Sequence, residues 1–389
     1  MEAVKRVGVF GFTKVVPTAV LIFLLAVLKN LVRGRKETKK QLRFNGERPA
    51  LGKVIGKVSE VNVFPGKSMA ACSLERCKVT SAGLHGDRLI MVVSKTMVVA
   101  TQRSIPQLSQ IVAKVSQNLV TLSLPELPPL NLNLSIVDRT SDAVTIDLHT
   151  IKAPCVDLGD AAAEWINGAL TKLCGKTKSG YRVFTLAKEE NRKVYNSPAR
   201  LLMENARSFD ATLLSDLAPI TFTSEASLLA LNEAATKPVP MDRFRTNIVA
   251  SIDRELAFLE DHVKVIQVGS QTFHAIGPTF RCVIPSVDQA TSEAGFRKNI
   301  RKAEPIATLK RLRSGGLRFG LSGLLPTSAG GSKSLAPLFG IYLGCERDDS
   351  SGEVSIGDPI RVVEYKSNLG FVTQVIDAIA TTLGLDRAA

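Results

Sequence analysis

The stretch "FRCVIPSVDQAT", residues 280–291, sets one cysteine, Cys282, directly after Arg281 and directly before a short apolar run. No second cysteine lies two residues away, and no histidine lies within four. Two chemistries suit a thiol so placed. It can be a small buried hydrophobe at the edge of a strand. It can also be a nucleophile, or a ligand to a soft metal, with a thiolate favoured by the adjacent guanidinium. The residue types by themselves leave both open. The other cysteines, at 72, 77, 155, 174 and 345, are scattered. Only Cys72 and Cys77 are close, and no second pair matches them, so a zinc ribbon is not expected. Scattered cysteines in 389 residues fit a reducing compartment better than a disulfide scaffold.

Two common chemistries have no motif to carry them. No Gly-x-Gly-x-x-Gly follows a strand-like run and no P-loop is present, so neither a nicotinamide cofactor nor a nucleotide is expected to bind this chain. The net charge of +14 raises the question of nucleic acid or an anionic surface. Its distribution answers in part. Between Lys29 and Arg48 stand eight Lys/Arg against Glu37 and Glu47, beside an apolar segment, and the rest of the excess is dispersed. A basic stripe interleaved with aromatics is missing, so nucleic acid is not an expected partner.

The elements that must position these groups follow from periodicity. Residues 15–28, "VVPTAVLIFLLAVL", carry no charge and lie between Lys14 and Lys29. With "VGVFGFT" upstream they approach the ~20 apolar residues of a bilayer span. The basic flank that follows, the lack of a small-residue cleavage site and the cysteine usage favour an uncleaved signal-anchor over a secretory leader, with the bulk of the chain facing the cytosol. The mitochondrial outer membrane is the expected location and the endoplasmic reticulum the alternative. The domains are read as an anchor over 1–32, a basic tether over 33–53, a first domain over 54–186, a second over 200–365 and a tail over 366–389. From Val54 onward short alternating runs dominate: "KVSEVNVF" (57–64), the stretch 77–103, "NLVTLSLPEL" (118–127), "NIVASI" (247–252), 263–280 and "VSIGDPIRVVEY" (354–365). Three helices interrupt them: "AAAEWINGALTKL" behind an Asp160 cap, one behind a Ser224 cap, and "EPIATLKRLR" with Pro305 in its first turn. Residues 314–334 are Gly/Ser-rich and read as a loop. The expected class is α+β, mainly β, with two barrel-like domains behind a transmembrane anchor.

Five stretches read in order form a set: "FPGKSM" (64–69); "GLHGDRLIMVV" (83–93) with "TQR" (101–103); "RFRTNIV" (243–249); "FRCVIPSVD" (280–288); and "PLFGIYL" (337–343) followed by "IGDPIRV" (356–362). The set resembles the MOSC family, in particular its amidoxime-reducing members, over about residues 54–365. The resemblance implies a MOSC N-terminal β-barrel domain, a MOSC domain and the molybdenum cofactor. It implies that Cys282 supplies the protein's sulfur to the metal, with Arg281 favouring the thiolate. It implies that Lys67 and Ser68 hold the phosphate and pterin, that Arg88 is a further contact, and that Arg245 and Asn247 form the family's R-x-N motif. Asp216 falls near the cofactor, and Tyr342 closes the pocket. Plainer readings stand beside these: a salt bridge to Asp87 for Arg88, a turn for the R-x-N motif, and a turn for Asp358.

The chain also departs from the family pattern. Thr279 and Phe280 replace Cys and Ser before the Arg-Cys pair, Leu217 and Ala218 replace Thr-Ser, Thr246 replaces a proline and Ile341 an amide. The implied function is reduction of N-hydroxylated compounds, amidoximes and hydroxylamines. Electrons would come from NADH through cytochrome b5 reductase and cytochrome b5. The alternatives are a sulfur-carrying MOSC protein or a cofactor-binding protein without turnover.

Overall fold

A computed structural model describes residues 42–137, 143–148, 152–187, 193–194, 205–208, 210–313, 337–345 and 352–366. The expected anchor, the first part of the tether, most of the tail, the Gly/Ser-rich stretch and most of the connection between the two expected domains lie outside them. Among the described residues no helix is long and apolar enough to cross a membrane.

The first half runs β1 (Val54–Val63), β2 (Cys72–Leu74), β3 (Arg76–Thr80), β4 (Gly83–Leu84) and β5 (Ile90–Val93). Then come β6 (Val112–Ser116), β7 (Leu119–Leu124), β8 (Leu127–Asn133), β9 (Val144–Asp147), β10 (Lys152–Asp157), helix α1 (Asp160–Cys174) and β11 (Arg182–Leu186). The second half runs β12 (Ile220–Ser224), helix α2 (Glu225–Ala234), β13 (Ile248–Ile252), β14 (Val263–Val268) and β15 (Gln271–Phe280). Two short helices, α3 (Gly295–Asn299) and α4 (Ile306–Leu312), precede β16 (Leu338–Cys345), β17 (Glu353–Ser355) and β18 (Pro359–Tyr365).

Seven strands close into a barrel in the order β13, β12, β16, β15, β14, β18, β1, and the β1–β13 pairing completes the ring. Closure leaves no unpaired sheet edge within it. Its one parallel pair, β12–β13, is joined through α2, as a parallel pair requires. Alternation explains the filling: Val58, Val61, Ile248, Phe273, Ile341 and Leu343 are all 0% exposed. Each such side chain contributes about 1.5–3 kcal/mol relative to an exposed one. Helix α2 begins where the Ser224 side chain accepts from the Ser227 N–H at 3.1 Å, the cap the sequence predicts. Helix α1 differs slightly. Its N-cap is Gly159 and Asp160 is its first residue; its C-cap, Gly175, adopts the left-handed conformation.

Elsewhere in the first half β2 pairs with β1, β3 and β4 form a small sheet with β17, and two further sheets run β5-β11-β10-β9 and β6-β7-β8. Ile166, Ala169 and Leu170 of α1 pack with Ile90, Val92, Leu108 and Leu122. Mainly β architecture with few helices is what the sequence leads one to expect. The domain boundary is less simple than expected. β1, assigned to the first domain, is a stave of the second domain's barrel, and β17 returns to pair with β3. Pairings such as Val61 with Ile248 are set by tertiary packing and leave no local periodicity to read.

Candidate functional site

All nine residues singled out in the sequence line one cleft between the barrel and the first half. It encloses about 800 Å³, counting solvent at its mouth. Lys67 and Ser68 come from the turn after β1, Arg88 from the turn before β5, and Asp216 from the segment leading into β12. Arg245 and Asn247 precede β13, Arg281 and Cys282 follow β15, and Tyr342 lies in β16.

Three of these residues sit in the left-handed region without being glycine: Ser68 (φ 67°), Arg88 (φ 50°) and Arg245 (φ 52°). Such conformations cost on the order of 1–3 kcal/mol each and persist only where surrounding structure enforces them. Of the eight described non-glycine residues in that region three line this cleft, where the local backbone aims their side chains, and the other five lie elsewhere.

The charge of the cleft is one-sided. Lys67, Arg88, Arg243, Arg245 and Arg281 line it against one carboxylate, Asp216. Lys67 Nζ donates to Asp216 and to the Leu214 carbonyl at 2.8 Å. The Arg88 and Arg245 guanidiniums lie 4.5 and 4.3 Å from the centre of the Phe64 ring. Burial, and then the like charge of Arg88, push Arg245 down to about 9 from 12.5. Burial likewise pushes Arg281 down to about 10. Burial raises the Tyr342 phenol, so it keeps its proton.

Several readings of single residues change. Arg88 makes the plain salt bridge with Asp87 and also lines the cleft. Asn247 is fully engaged within the protein. Its Oδ1 accepts from Thr221 N, Thr221 Oγ1 and Arg88, and its Nδ2 donates to Asn62 O and Asp87 Oδ1. It therefore braces the R-x-N turn from a position that also lines the cleft. Arg281, expected to stand by the thiol, sends Nε to Phe339 O (2.9 Å) and Nη1 to Phe244 O (2.6 Å). Its Nη2 and the Thr279 hydroxyl are buried and have no partner among the described residues.

Cys282 is half-buried, and its sulfur accepts from Ile284 N at 3.5 Å. The Arg103 guanidinium pairs with the Asp216 carboxylate at 4.0 Å, and Arg103 and Arg281 are both coupled electrostatically to Cys282. Burial disfavours the Arg103 charge, but Cys282 and Asp216 outweigh it and raise its pKa. Sequence reasoning quoted "TQR" without giving this arginine a role. Arg243 was missed too, although it lines the cleft and pairs with Asp288 at 2.5 Å. Among the described residues no three His, Cys, Asp or Glu side chains gather into a metal site. A metal held here would therefore have to bring most of its ligands with it.

Comparison with known proteins agrees with this arrangement. Residues 55–173 match the MOSC N-terminal beta barrel domain and residues 210–361 the MOSC domain. The chain belongs to the MOSC-domain family. It is similar to mitochondrial amidoxime reducing component 2 of Rattus norvegicus, at 28% identity over 79% of this chain and 83% of that one. It is similar to mitochondrial amidoxime-reducing component 1 of Xenopus laevis, at 26% over 80% and 83%. It also resembles molybdenum cofactor sulfurase 2 of Culex quinquefasciatus, at 27% identity, covering 68% of this chain but only 34% of the sulfurase.

Proposed function

We propose that the cleft holds the molybdenum cofactor and that this MOSC protein reduces N-hydroxylated compounds, amidoximes and hydroxylamines. The observation that carries the reading is one half-buried thiol in a cleft lined by five cations and a single carboxylate. The residues fit the group. A phosphate tail suits Lys67, Arg88 and Arg245, since charge-assisted hydrogen bonds to phosphate are the strong ones. Arg281 Nη2 and Thr279 Oγ1, buried without partners, are suited to the polar edge of a pterin. A lone thiol suits a soft metal whose other sulfurs come from the cofactor. When bound, the cofactor supplies a redox-active metal that exchanges two electrons.

The chain's own residues do the rest. Cys282 supplies the protein sulfur. Tyr342 retains its proton and offers a donor inside the cleft. Leu217, Ala218, Phe280 and Ile284 form an apolar wall that keeps water from the substrate. Overall, one N–O bond breaks, two electrons and two protons enter, and the products are the amidine or amine and water. The reductant in this reading is cytochrome b5, recharged from NADH by its reductase, which agrees with the absence of a nucleotide motif in the chain. The membrane reading, with the mitochondrial outer membrane first and the endoplasmic reticulum second, rests on the apolar run 15–28, its basic flank and the names of the relatives.

The test is metal and pterin analysis of the purified full chain, then reduction of benzamidoxime with a chemical or reconstituted donor. Molybdenum near one per chain and formation of benzamidine are expected, and Cys282→Ser should lose turnover per loaded molecule. Loaded protein without turnover would refute the reductase reading. The match to sulfurases favours one second reading, a sulfur-carrying thiol at Cys282. It predicts a persulfide on Cys282 by mass spectrometry and no reduction of benzamidoxime.

A further inference from the structure

Gln102 and Gln289 do not line the cleft, yet they close a ring of hydrogen bonds behind two residues that do, Ser68 and Arg245. Gln102 Nε2 donates to Ser68 O and to Gln289 Oε1, both at 2.9 Å. Arg245 Nη1 donates to the same Gln289 Oε1 at 3.4 Å and to Met69 O at 2.6 Å. Ser68 and Met69 are neighbours in the chain, so the ring closes through their backbone. Gln289 Nε2 donates back to Gln102 Oε1 and onward to Val287 O, both at 3.0 Å. The Gln289 amide thus uses both of its protons and both lone pairs of its carbonyl. Its backbone is held too. The Gln289 carbonyl accepts from Gln110 Nε2 at 2.8 Å, and Asp288 Oδ1 accepts from Ala290 N and Thr291 N, each at 3.0 Å. Gln102 is 0% exposed, and an amide buried so completely is costly unless it is paired.

We propose that Gln289 is a positioning residue for the phosphate cradle, with Gln102 as its partner. The two cleft residues in the ring come from different halves of the chain, Ser68 from the first and Arg245 from the second, and both sit in the left-handed region. Neither conformation is favoured locally, so surrounding structure must hold each of them. The ring does this by tying one to the other. A methionine of similar length has no proton to donate, and a carboxylate has none either. The carboxamide is the group that this geometry requires. The ring stands on its hydrogen bonds alone; its consequence for the cofactor rests on the proposal that the cleft holds that group's phosphate.

The test uses cofactor-free full-length protein, as wild type, Gln102→Met, Gln289→Met and the double variant. Phenylglyoxal modification of Arg245, read at that site by mass spectrometry, reports how firmly its guanidinium is held without any ligand. Calorimetry gives the Kd for pyrophosphate, with the folded fraction measured in the same sample. Each single variant should label Arg245 about fivefold faster and bind pyrophosphate about fivefold more weakly, the equivalent of one hydrogen bond of about 1 kcal/mol. The double variant should match the weaker single one, because residues of one network are not additive and a ring is opened once. Unchanged Arg245 labelling in both single variants overturns the proposal, and so does a double variant in which the two effects multiply. A residue needed only for folding would lower the melting temperature and leave the Kd of the folded fraction as it was, which also overturns it. Gln289→Asn, one methylene short of its partners, serves if the methionine variants do not fold, and the same labelling and Kd outcomes apply. Wild-type protein that fails to bind pyrophosphate, while the variants still label Arg245 faster, would refute the cofactor reading of the cleft and leave the hold of Gln289 on Arg245 standing.

Discussion

Arg245 separates a residue kept for binding from one kept for folding, because the two roles predict opposite signs of stability change. Its guanidinium is buried beside Arg88, donates to Met69 O at 2.6 Å and lies over Phe64. Burial, followed by the like charge of Arg88, lowers its pKa from 12.5 to about 9. At neutral pH the folded protein therefore holds a cation it disfavours, at a cost on the order of 5 kcal/mol. Arg245→Met keeps much of the volume and removes that cost. It also leaves the Met69 carbonyl short of a donor, worth about 1–3 kcal/mol. The cofactor-free variant should come out about 2–4 kcal/mol more stable than wild type at pH 7. The sign runs as linkage requires. A base with a depressed folded pKa carries its full penalty below about pH 9 and loses it as pH rises toward 12.5, so the variant's advantage should shrink in alkaline buffer. The same variant should bind phosphate ligands ten- to hundredfold more weakly, since a charge-assisted hydrogen bond is worth about 1.5–3 kcal/mol. Urea unfolding of cofactor-free protein at pH 7 and 9.5, with and without pyrophosphate as probe, measures both. A variant less stable than wild type by 2 kcal/mol or more, with pyrophosphate stabilisation intact, would make Arg245 a structural strut and refute the argument.

Three further outcomes follow from the same geometry. Lys67→Ala should shorten cofactor retention on dilution by about one to two decades without unfolding the chain, since Lys67 is a cation at the cleft; full occupancy after dilution would remove it from the cradle. Glu260 is buried, and burial followed by Asp261 pushes it up to about 7 from 4.5, so wild-type stability should fall as pH rises from 4.5 through 7. Glu260→Gln should therefore raise the melting temperature at pH 8, by an amount equivalent to about 2–3 kcal/mol, and change it little at pH 4.5, as followed by circular dichroism. Removal of residues 1–40 should leave a folded, cofactor-binding protein, whereas removal through Phe44, a buried member of the barrel core, should cost about 3–5 kcal/mol in urea titration.

Much of this protein is legible in its sequence, for a local reason. Strand alternation, the Ser224 cap and the interior valines are patterns of near neighbours, and near neighbours decide which face of a strand or helix is apolar. The ordered motifs also named eight residues that prove to share one cleft with Asp216, because most of them lie at the ends of elements and keep their residue spacing. What the sequence could not decide was the partner of each polar group. Nothing near Arg281 says that its donors go to Phe339 O and Phe244 O, or that Arg103 pairs with Asp216, 113 positions further on by their numbering. Nothing near Val54 says that its strand closes the distant barrel. Hydrogen bonds and charges act through space over a few ångströms, and only the closed fold sets which residues of a 389-residue chain come within that reach.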